Sequence, residues 1–377
     1  MEQKGAIKRV FPGSNTPQGF FSFYDYIAPP DATRVFVIKG GPGVGKSTFM
    51  RHIATEMLKR GYNVEIHHCA SDNASLDAVV VPAAGIALID GTAPHVYDPR
   101  HPGCIDEIIH LGDFWDEEQL RAHRDEILAA SREVADNFQR AYRFLRAAKA
   151  VYDDWENANQ TAMDYGLANC KAYTLVQDLF GKTPVAPTMG ADRHLFANAI
   201  TPKGATHYLD TIIKPCRRVY VIAGKPGTGK STLLRKVATA AQERGYAVEL
   251  YHCSLDPNKV EHVVIPALSV ALTKSIEPHA YQPATGDTVI DMNECLHPAL
   301  VEKYRYLVTE NQGIFADLFA RAIRFIARAK EAHDEIEQYY VTNMDFDAIS
   351  QLCDDTLGRI LAYAWEKNGS RGDLRYI

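Results

Sequence analysis

The sequence predicts an α/β protein made of two tandem units, each a mostly parallel sheet flanked by helices with an appended helical region. Three observations support this fold class. The segment Arg34–Cys69 aligns without a gap with Arg218–Cys253, and 21 of the 36 positions are identical. In each copy a β-branched run leads through a glycine-rich turn into a helical pattern, which is the start of a parallel α/β sheet. The last third of each copy has a helical pattern with few Gly or Pro residues.

The repeated segment predicts its elements in order. Arg34–Ile38 is a short β-branched run and is predicted to be a buried strand. A helix is predicted over Ser47–Lys59, because the apolar residues Phe49, Met50, Ile53 and Met57 recur on one face and Gly61 provides a C-terminal stop. A second strand is predicted at Asn63–His67, and the apolar runs Ala78–Val81 and Ile86–Ile89 predict two more. The helical regions are predicted over about 116–178 and about 298–367.

The repeat extends over a whole domain in each half of the chain. Downstream of the first match, Arg140–Asp153 aligns with Arg321–Asp334. The stretch Gly181–Gly190 has the Pro and Gly density of a linker. The predicted domains are therefore residues 1–187 and 188–377.

Composition narrows the class of protein. The 377 residues are 46% hydrophobic and 23% charged, which is ordinary for a globular protein and argues against disorder. A net charge of −6 argues against a generic polyanion binder, so nucleic acid is not indicated as a partner. No apolar run reaches the ~20 residues of a membrane-spanning helix. The N-terminus lacks the pattern of an export signal, and the seven cysteines show no CxxC spacing, so a cytoplasmic protein with reduced thiols is expected.

Each copy carries a motif of the form GxxxxGK[ST] between its strand and its helix. Gly40–Ser47 reads GGPGVGKS, and Gly224–Ser231 reads GKPGTGKS. Glycines let backbone N–H groups wrap a β-phosphate, and the helix N-terminus adds a positive dipole end. The Lys reaches the β- and γ-phosphates, and the Ser hydroxyl ligates Mg²⁺. The predicted nucleotide-binding residues are Gly40, Gly41, Gly43, Val44, Gly45, Lys46, Ser47 and Thr48 in the first copy, and Gly224, Gly227, Thr228, Gly229, Lys230, Ser231 and Thr232 in the second.

With these motifs the chain resembles the P-loop NTPase superfamily over about Arg34–Asp98 and Arg218–Pro283. As a whole it looks like a tandem-duplicated bacterial ATPase or nucleotide-kinase-like family. The resemblance implies two P-loop NTPase domains that use ATP and Mg²⁺. It assigns no motif to the helical regions.

A strand near the loop is expected to present a carboxylate to the Mg²⁺. In the first copy Ile86–Asp90 fits this pattern, with four apolar residues followed by the acid. The predicted metal ligands are therefore Ser47, Asp90 and Ser231. The alternative for Asp90 is a turn-forming role before Gly91.

The second copy departs from this pattern. The aligned stretch is Val270–Lys274, so a lysine replaces the carboxylate of Asp90. Either the second site holds nucleotide but hydrolyses it poorly, or a carboxylate from Asp256 or Asp291 serves it.

The catalytic candidates are Lys46, Asp90, His95 and Asp98. No Glu follows Asp90, because the next residue is Gly91, and this argues against a fast motor ATPase. His95 and Asp98 are candidates for orienting a water or an acceptor hydroxyl. The alternative is that both belong to a loop rich in turn residues.

These patterns favour a Mg²⁺-dependent ATP-binding protein that hydrolyses ATP mainly at the first motif, with a degenerate or regulatory nucleotide site at the second. One alternative is a kinase that transfers the γ-phosphate to an unidentified small-molecule acceptor. The other is a nucleotide-gated scaffold that closes around a protein partner with little turnover. No membrane partner is expected.

Overall fold

A computed structural model describes residues 4–93, 96–276 and 281–369 as an α/β protein with two six-stranded sheets flanked by helices. The first repeat contains β1 (Ile7–Val10), β2 (Gly13–Thr16), β3 (Gly19–Ser22), β4 (Arg34–Lys39), α1 (Lys46–Lys59), β5 (Val64–His68), β6 (Leu76–Val81), β7 (Ile86–Asp90), β8 (Asp106–His110), α2 (Glu117–Ala122), α3 (Arg124–Thr161) and α4 (Tyr165–Phe180). The second repeat contains β9 (Asp192–Leu195), β10 (Asn198–Thr201), β11 (Gly204–His207), α5 (Leu209–Ile213), β12 (Arg218–Ala223), α6 (Lys230–Gln242), β13 (Val248–His252), β14 (Val260–Ile265), β15 (Val270–Ser275), β16 (Thr288–Asp291), α7 (Pro298–Lys303), α8 (Arg305–Val341) and α9 (Phe346–Gly369). Short 3₁₀ turns lie at Tyr24–Tyr26, Pro82–Ala84, Leu111–Phe114, Pro266–Leu268 and Met292–Cys295.

The two large sheets have the same topology. The first has the strand order β1-β5-β6-β7-β4-β8, and the second has the order β9-β13-β14-β15-β12-β16. Three of the five pairings in each sheet are parallel, and the antiparallel pairings are those of β6 and of β14 with their neighbours. The predicted α/β class with a mostly parallel sheet is therefore confirmed, while the inserted antiparallel strand was not predicted.

The compact units of the structure draw residues from both sequence repeats. Unit 1 comprises residues 1–12, 23–138 and 327–377, and unit 2 comprises residues 13–22 and 139–326. The helix α3 begins in unit 1 and ends in unit 2, whereas α8 begins in unit 2 and ends in unit 1. Each unit therefore combines the sheet of one repeat with helices of the other repeat.

In unit 1 the apolar face of α1 packs on the sheet and is covered by α9. The predicted face of α1, which is Phe49, Met50, Ile53 and Met57, is fully buried in this core. From α9, the side chains of Ile349, Cys353, Leu357, Ile360 and Ala364 belong to the same core. Because α9 lies in the second repeat, the first repeat does not complete this core by itself.

Unit 2 has the reciprocal arrangement. The apolar face of α6, with Leu233, Leu234 and Val237, is buried between its sheet and α4. Leu175 and Phe180 are the large α4 side chains in this core. Within the described residues of both units, no helix combines the length and apolar character that crossing a bilayer requires.

Candidate functional site

The first glycine-rich loop, Gly40–Ser47, connects the end of β4 to the start of α1. Gly45 precedes the helix with a φ of +91°, and Gly43 has a φ of +70°, a region that side chains rarely adopt. A Cβ on Gly43 would lie 2.9 Å from the Glu337 carbonyl oxygen, so the end of α8 packs directly on the loop within unit 1. The first N–H groups of α1 have no hydrogen-bond partner within the helix, as at the start of any α-helix. Where such a helix follows a glycine-rich loop, these N–H groups can bind an anion.

Lys46 brings the loop into contact with the neighbouring strand. Its ammonium donates hydrogen bonds to the carbonyl oxygens of Gly41, at 2.6 Å, and Gly40, at 3.3 Å. The same ammonium is 3.7 Å from the carboxylate of Asp90. β4 and β7 pair in parallel, with Ile38 opposite Asp90. Asp90 therefore lies at the carboxyl end of its strand, next to the end of β4 where the loop begins.

Asp90 is held in a mostly buried position. One carboxylate oxygen accepts a hydrogen bond from the Thr92 N–H at 2.9 Å. Burial raises the pKa of Asp90, while the Lys46 ammonium and the Thr92 bond lower it. Two of the predicted residues, Lys46 and Asp90, therefore meet in the structure.

Sequence reasoning missed a second carboxylate at this place. Asp77 is 2% exposed and lies on β6, where the β6–β7 register, with Ala78 opposite Ile89, places it opposite Asp90. Its charge contributes to the raised pKa of Asp90, and its Oδ2 atom has no hydrogen-bond partner within the described residues. A signal was available, because the aligned position in the second repeat, Glu261, is also acidic within an apolar strand.

Tyr24 adds a phenol near the two acids. Its side chain is buried, and its pKa is raised well above the usual value by that burial and by the charge of Asp77, with Asp90 contributing less. The aligned residue in the second repeat is Leu209, so this phenol belongs to the first site alone.

The remaining first-site candidates have different surroundings. Ser47 accepts a hydrogen bond from the Leu76 N–H at 3.0 Å, which orients its hydroxyl beside the start of β6. Asp98 is exposed and bound by Lys39, whose ammonium is 2.9 Å from the carboxylate and also bonds two carbonyls of the same loop. Asp98 thus helps to fix the loop after β7, while His95 lies outside the described residues. Thr48 is exposed in the first turn of α1.

The second glycine-rich loop, Gly224–Ser231, repeats the backbone arrangement. Gly229 precedes α6 with a φ of +78°, and the loop packs in unit 2 against the backbone of Glu156 near the end of α3. The Lys230 ammonium donates to the Gly224 carbonyl oxygen at 2.6 Å and contacts the Thr228 hydroxyl at 3.3 Å. The predicted residues Gly224, Gly227, Thr228, Gly229, Lys230 and Ser231 form this loop, and Thr232 is exposed beyond it.

The charges around the second loop differ from those around the first. Lys274 stands where the first repeat has Asp90, and its ammonium is 3.8 Å from the carboxylate of Glu261. Burial lowers the pKa of Lys230 to about 7, with the Lys274 ammonium acting in the same direction. Glu156 and Glu261 oppose this shift. The carboxylates that act on the loop lysine are therefore Glu156 and Glu261.

The two alternative carboxylates, Asp256 and Asp291, have partners of their own. Asp256 pairs with Lys149 and with Lys259, each at 3.7 Å. Asp291 ends β16 and accepts a hydrogen bond from the Asn293 N–H at 2.8 Å.

Oxygen ligands of the kind that Mg²⁺ prefers surround the first loop, whereas a lysine stands among those at the second. Mg²⁺ prefers hard oxygen ligands, and the hydroxyl of Ser47 with the carboxylates of Asp77 and Asp90 supply this chemistry. The buried Asp77 oxygen without a hydrogen-bond partner is an acceptor that a cation would satisfy. At the second loop the corresponding set is Ser231 and Glu261 with the cation of Lys274, which repels a metal ion.

A further group of metal-type side chains lies on α8. His333, Asp334 and Glu337 can bring one ligand atom each within 4.8 Å of the others. Asp334 already forms an ion pair with Lys330, which also lies 3.6 Å from Asp72. These competing cationic contacts make the group an ordinary surface network.

No known protein family, no curated protein and no solved structure matches this chain.

Proposed function

We propose that this protein is a Mg²⁺-dependent ATP-binding enzyme of the P-loop type that hydrolyses ATP mainly at the first glycine-rich loop. The observation that carries the proposal is the approach of Lys46 to Asp90 at the mouth of a glycine-rich loop that opens a helix. The second loop serves as a nucleotide site with little turnover.

The residues of the first loop have separable tasks. The N–H groups of the loop and of the first turn of α1 bind the phosphates. The Lys46 ammonium, which bonds carbonyl oxygens, exchanges these for bonds to phosphate oxygens, which are stronger because both partners are charged. Ser47, Asp77 and Asp90 are the oxygen ligands for Mg²⁺, which when bound neutralises charge on the β- and γ-phosphates.

The helix end that packs on the loop supports a water-poor site. Within unit 1, Glu337 and Tyr340 of α8 lie against Gly43 and Gly41, respectively. Exclusion of water strengthens the pairing of Lys46 with phosphate, because the local dielectric constant falls.

The proposal is tested by steady-state phosphate release with matched variants of the two loops. Lys46→Ala is expected to lower turnover by roughly 10²-fold or more, in line with the loss of one transition-state charge contact. Lys230→Ala is the matched control and is expected to retain a substantial part of the turnover. Asp90→Asn is likewise expected to reduce turnover far more than Lys274→Asn. If Lys230→Ala abolishes turnover and Lys46→Ala does not, the roles of the two loops are reversed.

A phosphotransferase is the second candidate, and the surroundings of Gly91 favour it. A Cβ at Gly91 would lie 2.6 Å from a methyl of Val37 and 2.8 Å from the Tyr97 carbonyl oxygen, so no carboxylate side chain fits directly after Asp90. A site without that water-activating acid suits transfer to an acceptor hydroxyl. ADP release that rises several-fold with a small-molecule acceptor would establish the kinase, and release that is unchanged by acceptors supports the hydrolase. Tight ATP binding with negligible turnover in both assays would instead indicate a nucleotide-gated scaffold.

A further inference from the structure

Three positions near each loop are aligned between the two repeats, and the residues at these positions carry opposite net charge at the two loops. At the first loop they are Lys46, Asp77 and Asp90, one cation and two acids. At the second loop they are Lys230, Glu261 and Lys274, two cations and one acid. Counted over these positions, the formal charge is −1 at the first loop and +1 at the second.

The first set is unfavourable for a polyanion in the absence of a metal ion. Asp77 and Asp90 face each other across paired strands, and both are largely buried. Triphosphate oxygens entering beside two carboxylates meet like charge in a low-dielectric setting, where Coulomb repulsion is strong. A divalent cation between the carboxylates and the phosphates removes this repulsion.

The three residues at the second loop require negative charge instead of a metal ion. Lys230 and Lys274 are 5% and 8% exposed, and Glu261, 3.8 Å from the Lys274 ammonium, is the one acid of the set. The Lys230 ammonium bonds neutral oxygens of Gly224, Lys225 and Thr228, and a buried cation without a counter-charge is costly. An entering phosphate supplies the missing negative charge, whereas an entering metal ion adds to the excess positive charge.

The other charged groups at the second loop form ion pairs around Lys259. Glu156, from the end of α3, is held by Lys259, with which it forms a direct ion pair. Lys259 also lies 3.7 Å from Asp256. Around Lys259 one cation faces two acids, so these groups carry a net negative charge, and the excess of cations is confined to the three aligned positions Lys230, Glu261 and Lys274.

We propose that the second glycine-rich loop binds nucleoside polyphosphates without a metal ion, with the Lys274 ammonium in the place that Mg²⁺ takes at the first loop. This inference rests on the proposed function, since it requires both loops to bind nucleotide. It assigns to the second site a different ligand species, the free nucleotide, and it explains how binding persists there without efficient hydrolysis.

The test is calorimetric titration of the full chain with ADP, in MgCl₂ and separately in EDTA. Lys46→Ala isolates the second loop, and its affinity for ADP is expected to stay within about threefold between the two conditions, less than 1 kcal/mol. Lys230→Ala isolates the first loop, and its affinity is expected to fall by about tenfold or more in EDTA, which is 1.4 kcal/mol.

Reciprocal exchanges of the aligned residues make the test specific for charge. In the Lys46→Ala background, Lys274→Asp is expected to make ADP binding dependent on Mg²⁺. Lys274→Met, which keeps the apolar stem, is expected to weaken binding in both conditions without creating a dependence on Mg²⁺. In the Lys230→Ala background, Asp90→Lys is expected to abolish the dependence on Mg²⁺. Circular dichroism melts establish that each variant is folded.

The possible outcomes distinguish the inference about the second loop from the proposed function. If the second loop binds ADP only in MgCl₂, or if Lys274→Asp leaves binding in EDTA unchanged, the inference is wrong and the proposed function stands. If folded wild-type protein binds no nucleotide in either condition, the proposed function itself is wrong, and the inference with it.

Discussion

Separation of the two sequence repeats is expected to leave neither half with a complete core. A fragment of residues 1–187 contains β4 and α1 but lacks α9, which covers α1 in unit 1. The large side chains removed with α9 are Ile349, Leu357 and Ile360, which are at most 9% exposed. At about 1.5–3 kcal/mol for each fully buried side chain, their burial is worth roughly 5–9 kcal/mol. This equals much or all of the 5–15 kcal/mol by which a typical domain is stable.

The assay is expression of residues 1–187 and 188–377 separately and together, followed by size-exclusion chromatography and thermal melting. Each fragment alone is expected to be unstable as a monomer, and the two together are expected to associate and to melt cooperatively. A monomeric 1–187 fragment that melts cooperatively near the temperature of the full chain would refute the reasoning.

A point substitution measures the same contact in the intact chain. Ile360→Ala is expected to cost about 2–5 kcal/mol, as for other buried Ile side chains. At roughly 2–4 °C per kcal/mol for a unit of this size, the melting temperature falls by about 4–20 °C. Trp365→Ala, on the same helix at a position that is 66% exposed, is the matched control and should change the stability little.

Three further predictions concern backbone conformation, pH and the missed acid. Gly43→Ala is expected to destabilise the protein by about 1–3 kcal/mol in urea unfolding, because its φ is positive and the Glu337 carbonyl lies close. Its control, Gly313→Ala, lies in open space within α8 and is expected to be neutral or slightly stabilising. Burial lowers the pKa of His68 to about 3. Between about pH 6.5 and pH 3 this imidazole is therefore protonated in the unfolded chain but not in the folded protein. The stability of the fold is expected to fall on acidification through this window. His68→Gln is expected to flatten that dependence in melts recorded against pH, and an unchanged slope would contradict the assignment. Asp77→Asn is expected to raise the Mg²⁺ concentration for half-maximal phosphate release several-fold, and an unaltered Mg²⁺ titration would remove this residue from the site.

The local elements were predictable from the sequence because they depend on short-range patterns. The strand predicted at Arg34–Ile38 is observed at Arg34–Lys39, and the helix predicted over Ser47–Lys59 begins one residue earlier. The buried face of that helix was also predicted, since apolar spacing of three and four residues places side chains on one side. The predicted strand Ile86–Ile89 extends by one residue to include Asp90.

The pairing of distant elements was not predictable in the same way. Both α4 and α9 carry apolar faces that suit the helix after a glycine-rich loop, so sequence alone does not say which of them covers α1. The antiparallel placement of β6 between β5 and β7 likewise depends on tertiary context, because an apolar run has no direction. For this reason Asp77, which becomes part of the site only through that strand pairing, was missed.

At the candidate site, the glycine-rich motif predicted the loop residues, and the strand pattern of Ile86–Asp90 predicted Asp90. The charged groups around the second loop could be described only from the structure. Lys274 could be aligned with Asp90 from the sequence, but its proximity to Glu261 follows from the register of β14 and β15. Asp98 was predicted from its position after the strand, and the structure adds its ion pair with Lys39.

The exchange of α4 and α9 has a consequence for how such a protein assembles. A chain made of one repeat would offer its last helix to a second copy and receive one in return, so its folding would depend on protein concentration. Fusion of the two copies turns that encounter into an intramolecular event, with an effective concentration in the millimolar range for a short flexible connection. The joined chain is thus expected to fold independently of its own abundance. The two halves can then differ in charge, as Asp90 and Lys274 do, while each still receives its covering helix from the other.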